Sequence, residues 1–208
     1  RNPLTSIKLN IQKVFANKGL GDVEQSHLKI SQEGIRQIEI FIKELLSFTR
    51  VTELNIDKFS MEMILDESIK MVLDSMELKK IRVIRNYEKG LPQVRVDADK
   101  MRQVFLNLLD NAHDAVSEGG IIEIGIFHVK DKSCHKVKVE ISDNGCGIPE
   151  KDWDTVFEPY FTTKSSGFGL GLANARKIVE RHKGTIRVKK KSGDGTIFEV
   201  LIPCEEER

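Results

Sequence analysis

The chain has 208 residues, of which 33 are basic and 32 acidic, and its formal net charge is +1. A charge this small gives no reason to expect a nucleic acid or an anionic membrane surface as the main partner. Hydrophobic residues make up 39% of the chain, which is enough for a packed core, and no apolar run reaches the length of about 18 residues that indicates a membrane span.

Three cysteines stand far apart in the sequence. Cys134, Cys146 and Cys204 form no CxxC pair, a pattern that is typical of a reducing compartment and predicts neither a disulfide framework nor a zinc site. We expect a cytoplasmic chain that makes no membrane contact of its own, and the sequence leaves the membrane attachment of a longer parent protein open. The basic run Lys189–Lys191 is interpreted as a solvated strand end.

The first 50 residues carry two helical patterns separated by the polar break Asn17–Asp22. Two helices joined by a short loop predict an antiparallel hairpin. Because a lone hairpin cannot bury both apolar stripes, we expect two copies to form a four-helix bundle; the alternative is that both helices pack on the rest of the same chain. The two stripes consist of Leu4, Ile7, Ile11, Val14 and Phe15, and of Leu28, Ile30, Ile35, Ile38, Phe41, Ile42, Leu45 and Leu46.

From residue 53 onwards, predicted helices and strands alternate unevenly. This order predicts an α+β fold, an α/β sandwich in which one mixed sheet has its helices on one face. We therefore divide the chain into a helical hairpin at residues 1–52 and a second domain at residues 53–208. The predicted helices are Phe59–Met76, Asp97–Ser117 and Leu170–Arg181, and the predicted strands are Ile81–Ile84, Gln93–Val96, Ile121–Val129, Lys136–Ser142, Thr185–Val188 and Thr196–Ile202.

Two asparagines lie four residues apart in the predicted helix 97–117. Asn107 and Asn111 therefore point in the same direction from that helix. The side-chain oxygen of asparagine is a hard, neutral ligand that suits Mg²⁺, an ion that usually keeps several waters and bridges substrate phosphates. The alternative is an amide that is satisfied within the core or that caps a neighbouring loop.

A second block, Asp143-Asn144-Gly145-Cys146-Gly147, follows a predicted strand. Gly145 and Gly147 would let the backbone approach a flat ligand closely. The carboxylate of Asp143 can only accept hydrogen bonds, so it would select an exocyclic amino group, which adenine carries and guanine replaces by a carbonyl. An ordinary hairpin turn is the alternative, and it stays open at this point.

Glycines also precede the last predicted helix. Gly167, Gly169 and Gly171 lie where unpaired N–H groups and the helix dipole favour phosphate groups. Their spacing is neither that of a Walker loop nor that of the dinucleotide fingerprint, so the triplet alone is weak evidence. The polar stretch Thr162–Ser166 before it is either a lid, in which Lys164 reaches a terminal phosphate, or an ordinary surface loop.

Taken in this order, the blocks resemble the sensor histidine kinases of bacterial two-component systems, in the branch of the nitrogen-regulator and related cytosolic kinases. The similarity extends through Arg1–Thr5 and so covers nearly the whole chain. Asn107–Ala115 is similar to the N box of this family, Asp143–Gly147 to the first glycine box, Phe157–Phe161 to the F box, Gly167–Leu172 to the second glycine box and Gly193–Thr196 to the terminal GxGT turn.

The resemblance implies a GHKL-type ATP-binding domain with ATP and Mg²⁺ as ligands. It implies that the adenine base lies against Asp143, that Asn111 holds Mg²⁺, and that Asn107 and Lys164 act in catalysis. The nucleotide contacts that it implies are Asn111, Asp143, Gly145, Gly147, Phe161, Thr163, Gly167, Gly169, Leu170, Gly171, Leu172 and Thr196.

The phosphoacceptor motif of the family reads His-Glu-x-(Arg/Lys)-Asn-Pro-Leu, and this sequence begins at its Arg. The resemblance places the acceptor histidine three residues before Arg1. It implies transfer of the γ-phosphoryl group to that histidine, then to an aspartate in the receiver domain of a response regulator, and it assigns to Asn2 the positioning of a water for the reverse phosphatase reaction. A homodimer through residues 1–52 is also implied, and a nucleic-acid partner is not.

Two other functions fit parts of the same pattern. The ATPases of the same superfamily carry a glutamate that activates water four residues before the metal-binding asparagine. This chain has Asn107 there, and an amide cannot act as a general base. A non-enzymatic module that senses a nucleotide is the second alternative.

Overall fold

The computed structural model describes residues 7, 9, 11, 14, 21–49, 53–131, 134–164, 167–191 and 193–204. The chain divides into two compact units. The first comprises residues 1–51 and 164–168, and the second comprises residues 52–163 and 169–208. The predicted domain boundary at residues 52 and 53 stays a prediction, because residues 50–52 lie outside the described part of the chain.

The first unit is built on one long helix, α1 (Asp22–Thr49). It confirms the second predicted helix, while most of the first predicted helix and the loop between the two fall outside the described residues. Residues 7, 9, 11 and 14 are helical. In the stripe of α1, Ile35 is buried, whereas Ile30, Ile38 and Leu46 are exposed.

The second unit combines three α-helices with strands in the described residues. The helices are α2 (Met61–Leu78), α3 (Ala98–Ala115) and α4 (Gly171–Arg181), with two short 3-10 turns at Glu150–Asp152 and Thr155–Phe157. The strands are β1 (Asp57–Phe59), β2 (Arg82–Tyr87), β3 (Val94–Val96), β4 (Ile121–Asp131), β5 (Cys134–Asp143), β6 (Thr185–Lys190) and β7 (Thr196–Cys204).

The strands form one mixed sheet, as the sequence predicts. The order is β1-β3-β7-β5-β4-β2, and β6 pairs with β7. Strands β2 and β4 are parallel, whereas the other described pairs are antiparallel. In this register Ser142 lies opposite Ile197 and Lys190 lies opposite Thr196, so the end of β5 and the turn between β6 and β7 meet at the same edge of the sheet.

The core lies between the helices and one face of the sheet. Strand β5 shows this alternation: Val137, Val139 and Ile141 are buried, while Lys138 and Glu140 on the opposite face are half-buried and form an ion pair at 3.0 Å. The helices cover the buried face with apolar positions at helical spacing. In α3 these are Met101, Val104, Phe105, Leu108, Leu109 and Ala112.

The beginning of the second unit differs from the prediction. The predicted helix from Phe59 begins at Met61, and Asp57–Phe59 forms β1, paired antiparallel with β3. A strand of three residues is too short to show the alternation by which strands are recognised in a sequence. Strands β2, β4, β5 and β7 are each longer than the predicted segments, because sheet pairing extends them beyond their most apolar part.

None of the helices in the described part of the chain combines the length with the apolar composition that a bilayer crossing requires. Among the described residues, Cys146 and Cys204 form no disulfide; the first is exposed and the second half-buried.

Candidate functional site

Helix α3 carries the two asparagines, and both side chains are half-buried. The Nδ2 group of Asn107 donates to the backbone oxygen of Gly171 at 2.9 Å, and the Nδ2 group of Asn111 donates to the backbone oxygen of Asn107 at 2.8 Å. Asn107 therefore braces α3 against the first residue of α4. In an asparagine side chain only the oxygen can bind a cation, because the NH₂ group is a hydrogen-bond donor.

The carboxylate of Asp143 ends β5 and is almost completely buried, with 1% of the residue exposed. Its Oδ1 atom accepts two backbone hydrogen bonds, from Gly145 at 2.8 Å and from Thr196 at 3.3 Å. Both backbone donors bond to the same oxygen of the carboxylate.

The loop after Asp143 packs directly on the end of α3. A Cβ atom on Gly145 would lie 2.5 Å from the backbone oxygen of Ala115, closer than real Cβ contacts allow, so the loop can take this path only with glycine. The Oδ1 atom of Asn144 accepts from the backbone of Ile121 at 2.7 Å and so fixes the loop to β4.

The turn between β6 and β7 closes on the same loop. Gly195 has φ +111°, and a Cβ atom there would overlap the backbone oxygen of Asp143. Gly147, with φ +75°, faces the backbone oxygen of Gly195 at 3.2 Å from its ideal Cβ position. The two motifs contain glycine because the backbone of one loop packs directly against the backbone of the other.

The start of α4 is an uncapped helix N-terminus. Leu170, buried to 1% exposure, occupies the cap position and no side chain caps the helix; its first turn carries no acidic residue. Gly169, with φ +67°, packs on the F box, because a Cβ atom would lie 2.6 Å from the backbone oxygen of Phe161. Gly171 has room for a Cβ atom, so its packing does not demand glycine. This arrangement leaves backbone N–H groups of the first turn for an anion.

The remaining predicted contacts have varied environments. Thr163 is exposed, Phe161 and Leu172 are half-buried and pack on the core, and Thr196 is buried. Lys164 and Gly167 belong to the first unit and stay predictions. Asn2 lies outside the described residues.

Opposing effects act on the pKa of the Asp143 carboxyl. Burial raises its pKa above the ordinary 3.8 and is the strongest effect. The backbone hydrogen bonds from Gly145 and Thr196 and the positive charge of Lys191 lower it in part. Because burial prevails, the pKa of Asp143 stays above its ordinary value despite these hydrogen bonds and this charge.

The described residues contain no cluster of three or more histidine, cysteine, aspartate or glutamate side chains that could hold a metal ion. A site based on the asparagine oxygens of α3 together with phosphate groups of a nucleotide is consistent with this, since Mg²⁺ commonly takes one or two protein ligands plus substrate phosphates. Such a site would be incomplete without the nucleotide.

A cleft of about 400 Å³ lies beside the first glycine box, between residues 146–153 and residues 188–196. Asn107, Asn111 and Asp143 are not among the described residues that line it. Two of the predicted nucleotide contacts, Gly147 and Thr196, do line this cleft.

Sequence reasoning missed a polar junction at the base of the unit. Asp97, at the N-cap of α3, accepts from the backbone of Lys100 and of Asn55, each at 3.0 Å. The backbone of Asp97 donates to Nε2 of the buried His182 at 2.9 Å, and Nδ1 of this histidine donates to the backbone oxygen of Ile178 at 2.8 Å. His182 is thus a neutral imidazole that joins the end of α4 to the start of α3.

The basic run, interpreted as a solvated strand end, lies at the end of β6, and two of its three members have hydrogen-bond partners. Lys189 is paired with Glu199 at 3.0 Å, and Lys191 donates to the backbone oxygen of Asp143 at 2.9 Å. Lys190 is exposed, as expected. The alternation along a strand separates Lys190 from its neighbours, but the sequence does not reveal their partners.

Comparison with protein families gives a match over residues 96–206 to the model described as histidine kinase-, DNA gyrase B-, and HSP90-like ATPase. The matched segment runs from β3 to the end of β7 and contains α3, the loop after Asp143 and the start of α4.

Two curated relatives match almost the whole chain. Sensor histidine kinase ZraS of Escherichia coli (strain K12) is 34% identical over 98% of this chain and 43% of its own length. Signal transduction histidine-protein kinase AtoS of the same strain is 32% identical over 98% of this chain and 33% of its own length. The chain thus spans less than half the length of these relatives.

One solved structure extends the match to both units. Histidine kinase ThkA, crystallised in complex with response regulator protein TrrA, is 27% identical and covers 100% of this chain and 60% of that one, with a TM-score of 0.74.

Proposed function

The chain belongs to the family of histidine kinase-, DNA gyrase B-, and HSP90-like ATPases, as part of a bacterial two-component sensor histidine kinase, and on that premise we propose that its second unit binds Mg-ATP and supplies the γ-phosphoryl group for histidine phosphorylation. The observation that carries this proposal is the buried carboxylate of Asp143, whose Oδ1 is held by two backbone amides. Such a group is costly to bury unless a donor comes to its second oxygen. The exocyclic amino group of adenine is a donor of that kind.

The phosphate groups would lie at the start of α4. Its N-terminus is uncapped by side chains, and Asn107 holds it through the backbone oxygen of Gly171. Backbone N–H groups of Gly171 and Leu172, together with the dipole of the helix, favour negative charge there. Phe161 and Gly169 shape the entry to this turn by their close backbone contact.

Mg²⁺ would be held by the side-chain oxygen of Asn111 and would supply neutralisation of the phosphate charge. The protein itself would contribute position: Asn107 fixes α3 and α4 to each other, and Asp143 would fix the base. Phosphoryl transfer needs little covalent participation from the protein, so orientation and charge account for most of the catalysis.

In the transfer step, a ring nitrogen of the acceptor histidine forms a bond to the γ-phosphorus while the bond to the β,γ-bridging oxygen breaks and ADP leaves. The family motif places this histidine three residues before Arg1. We further propose that Lys164 reaches the terminal phosphate from the lid. Asn2, one turn after the histidine, positions water for the reverse phosphatase reaction.

The phosphoryl group would pass to an aspartate of a response regulator receiver domain. This proposal is supported by ThkA, a relative whose structure was solved with the response regulator protein TrrA. The hairpin would dimerise through residues 1–52, and the exposure of Ile30, Ile38 and Leu46 on α1 supports a second copy as the partner for this stripe. The receiver domain would bind near the acceptor histidine, on the first helix around residues 10–17.

Nucleotide titration tests the base assignment directly. We expect ATP to bind at micromolar concentrations with Mg²⁺ and GTP to bind at least tenfold more weakly, because a carboxylate repels the 6-carbonyl of guanine. Asp143→Ala should abolish ATP binding. The Lys190→Met variant is a matched control, since Lys190 is exposed at the same edge. Equal affinities of the native chain for ATP and GTP would contradict the assignment.

Titrations with and without Mg²⁺ show whether Asn111 acts on the metal ion or on the nucleotide. Asn111→Ala should weaken ATP binding in the presence of Mg²⁺ and change it little with EDTA, as measured by calorimetry. A loss of the same size in both conditions would indicate that Asn111 acts on the nucleotide or on folding and not on the ion.

Radiolabelled ATP separates the kinase from its alternatives. With the full-length protein we expect an acid-labile, base-stable phosphohistidine and only slow release of inorganic phosphate. Rapid ATP hydrolysis that Asn107→Ala abolishes would favour an ATPase, and nucleotide binding without any transfer would favour a sensing module.

A further inference from the structure

Lys191 follows β6 directly and contacts the main chain of Asp143. Its ammonium group donates to the backbone oxygen of Asp143 at 2.9 Å, and the lysine is half-buried. The neighbouring strand β7 begins at Thr196, whose backbone donates to the carboxylate of the same aspartate at 3.3 Å. One turn of the chain thus holds Asp143 at its main chain and at its side chain.

This hold does not occupy the oxygen that would face the ligand. Lys191 bonds to the backbone oxygen, and the two backbone donors Gly145 and Thr196 bond to Oδ1. In the described residues, Oδ2 accepts from neither of these groups. A lysine paired with Oδ2 would compete with the amino group of the base for that oxygen. Lys191 does not compete for it, because it bonds to the backbone oxygen.

We propose that Lys191 is a positioning residue that orients the carboxylate of Asp143 for the amino group of adenine and so sets the preference for adenine over bases with a carbonyl at that place. This inference rests on the proposed function and deepens it. Lys191 touches no reacting atom; it acts through Asp143.

The electrostatics of the site support this role. Burial raises the pKa of Asp143, and the charge of Lys191 opposes the rise. Besides Lys191, the groups that lower this pKa are neutral backbone amides, among them those of Gly145 and Thr196, which donate to the carboxylate. Among the described residues, Lys191 is the charged side chain that lowers the pKa of Asp143.

The two adjacent lysines are set apart by their contacts. Lys189 is paired with Glu199 at 3.0 Å and with Glu140 at 3.3 Å on the open face of the sheet, and Lys190 is exposed. Lys190, the last residue of β6, is therefore a matched control: it has the same charge as Lys191 and, among the described residues, no hydrogen bond to Asp143.

The test compares ATP with inosine triphosphate, which carries a carbonyl in place of the 6-amino group. Dissociation constants are measured between pH 5 and pH 8 for the native chain, Lys191→Met, Lys191→Arg and Lys190→Met. We expect Lys191→Met to weaken ATP binding about tenfold at pH 7, from the loss of one charge-assisted hydrogen bond, and to change inosine triphosphate binding less than about twofold. The acidic midpoint of ATP binding should move to higher pH.

Lys191→Arg should restore ATP binding to within about twofold of the native value, and Lys190→Met should match the native chain. A merely structural lysine would lower the affinity for both nucleotides equally and leave the pH midpoint in place, and that result would overturn the inference. An unchanged ratio of the two affinities in Lys191→Met would also overturn it.

Thermal unfolding is followed for each variant. If Lys191→Met fails to fold, Lys191→Gln, which keeps a hydrogen-bond donor but not the charge, is judged by the same pH midpoint and the same ratio. If the native chain itself binds inosine triphosphate as well as ATP, the proposed function fails at Asp143, and this outcome is distinct from a failure of Lys191.

Discussion

The side-chain amide of Asn107 donates to the backbone oxygen of Gly171 at 2.9 Å, so a residue in the middle of α3 holds the first residue of α4. The two residues are 64 positions apart in the chain. This contact couples the proposed metal-binding helix to the proposed phosphate-binding turn, and a change at Asn107 should therefore act on both.

Asn107→Ala should slow phosphoryl transfer strongly while destabilising the fold only slightly. The lost hydrogen bond is worth about 1 kcal/mol of unfolding free energy, whereas the start of α4 loses its fixed position relative to Asn111. Asn107→Asp keeps the size but cannot donate to Gly171, so we expect it to resemble Asn107→Ala. Urea unfolding together with single-turnover phosphorylation measures the two effects, and a fully active Asn107→Asp would rule out the bracing role.

Gly195→Ala should be strongly destabilising, by about 3 kcal/mol or more, and should abolish ATP binding. A Cβ atom would overlap the backbone oxygen of Asp143, and the φ of +111° is unfavourable for alanine. Gly193→Ala is a matched control two residues away: its φ is +100°, but a Cβ atom there meets nothing within 4 Å. We expect it to cost about 1–2 kcal/mol from the backbone alone.

The comparison of these two variants isolates the contact with Asp143 from the strain of the turn. Denaturant unfolding and ATP titration on both proteins provide the measurement. Equal losses of stability in the two variants would mean that steric contact between residue 195 and Asp143 adds nothing to the cost.

Stability should fall as the pH is lowered below about 6.5, in part because of His182. Burial lowers the pKa of His182 below its ordinary 6.5, so the unfolded chain takes up this proton at a higher pH than the folded protein does. The contribution of His182 is complete above pH 6.5 and is lost as the pH falls towards the folded-state pKa, because a protonated Nε2 cannot accept from the backbone of Asp97. His128, whose pKa is also lowered, acts in the same direction.

Urea unfolding between pH 5.5 and pH 8 tests this dependence. His182→Asn should be less stable at pH 8 and should show a shallower dependence on pH, with His128 accounting for part of what remains. His27→Asn changes an exposed histidine on α1 and should keep the full dependence. If His182→Asn showed the same pH dependence of stability as the native chain, the assignment of this dependence to His182 would be contradicted.

Ile38→Asp should weaken the proposed homodimer at least tenfold. Ile38 belongs to the apolar stripe of α1 but is 47% exposed, so a charge there is tolerated by the single chain and penalised in a bundle. Lys29→Asp is the control, because position 29 is exposed and lies half a rotation away on the same helix. Sedimentation equilibrium measures both, and a dimer that is unaffected by Ile38→Asp would place its interface elsewhere.

Much of the second unit could be predicted from local patterns. The apolar positions of α3 recur at helical spacing, and β5 alternates strictly, so both elements and their buried faces follow from the sequence. Strand β1 could not be predicted, since its three residues become a strand only through pairing with β3.

The candidate site divides in the same way. Asn107, Asn111 and Asp143 could be named because each residue type in its local context has a definite hydrogen-bonding capacity. The brace to Gly171 and the requirement for glycine at Gly195 could not, because they depend on which backbone atoms come within contact distance.

The sequence by itself determined the order of the polar and glycine-rich blocks, the faces of the helices and strands, and through these the family. Only the tertiary structure decided that Lys191 meets Asp143, which lies 48 positions earlier, and that Lys190 beside it does not. The physical reason is that periodicity records which side of an element is buried, whereas the partner of a side chain depends on the register in which β5, β7 and β6 are paired.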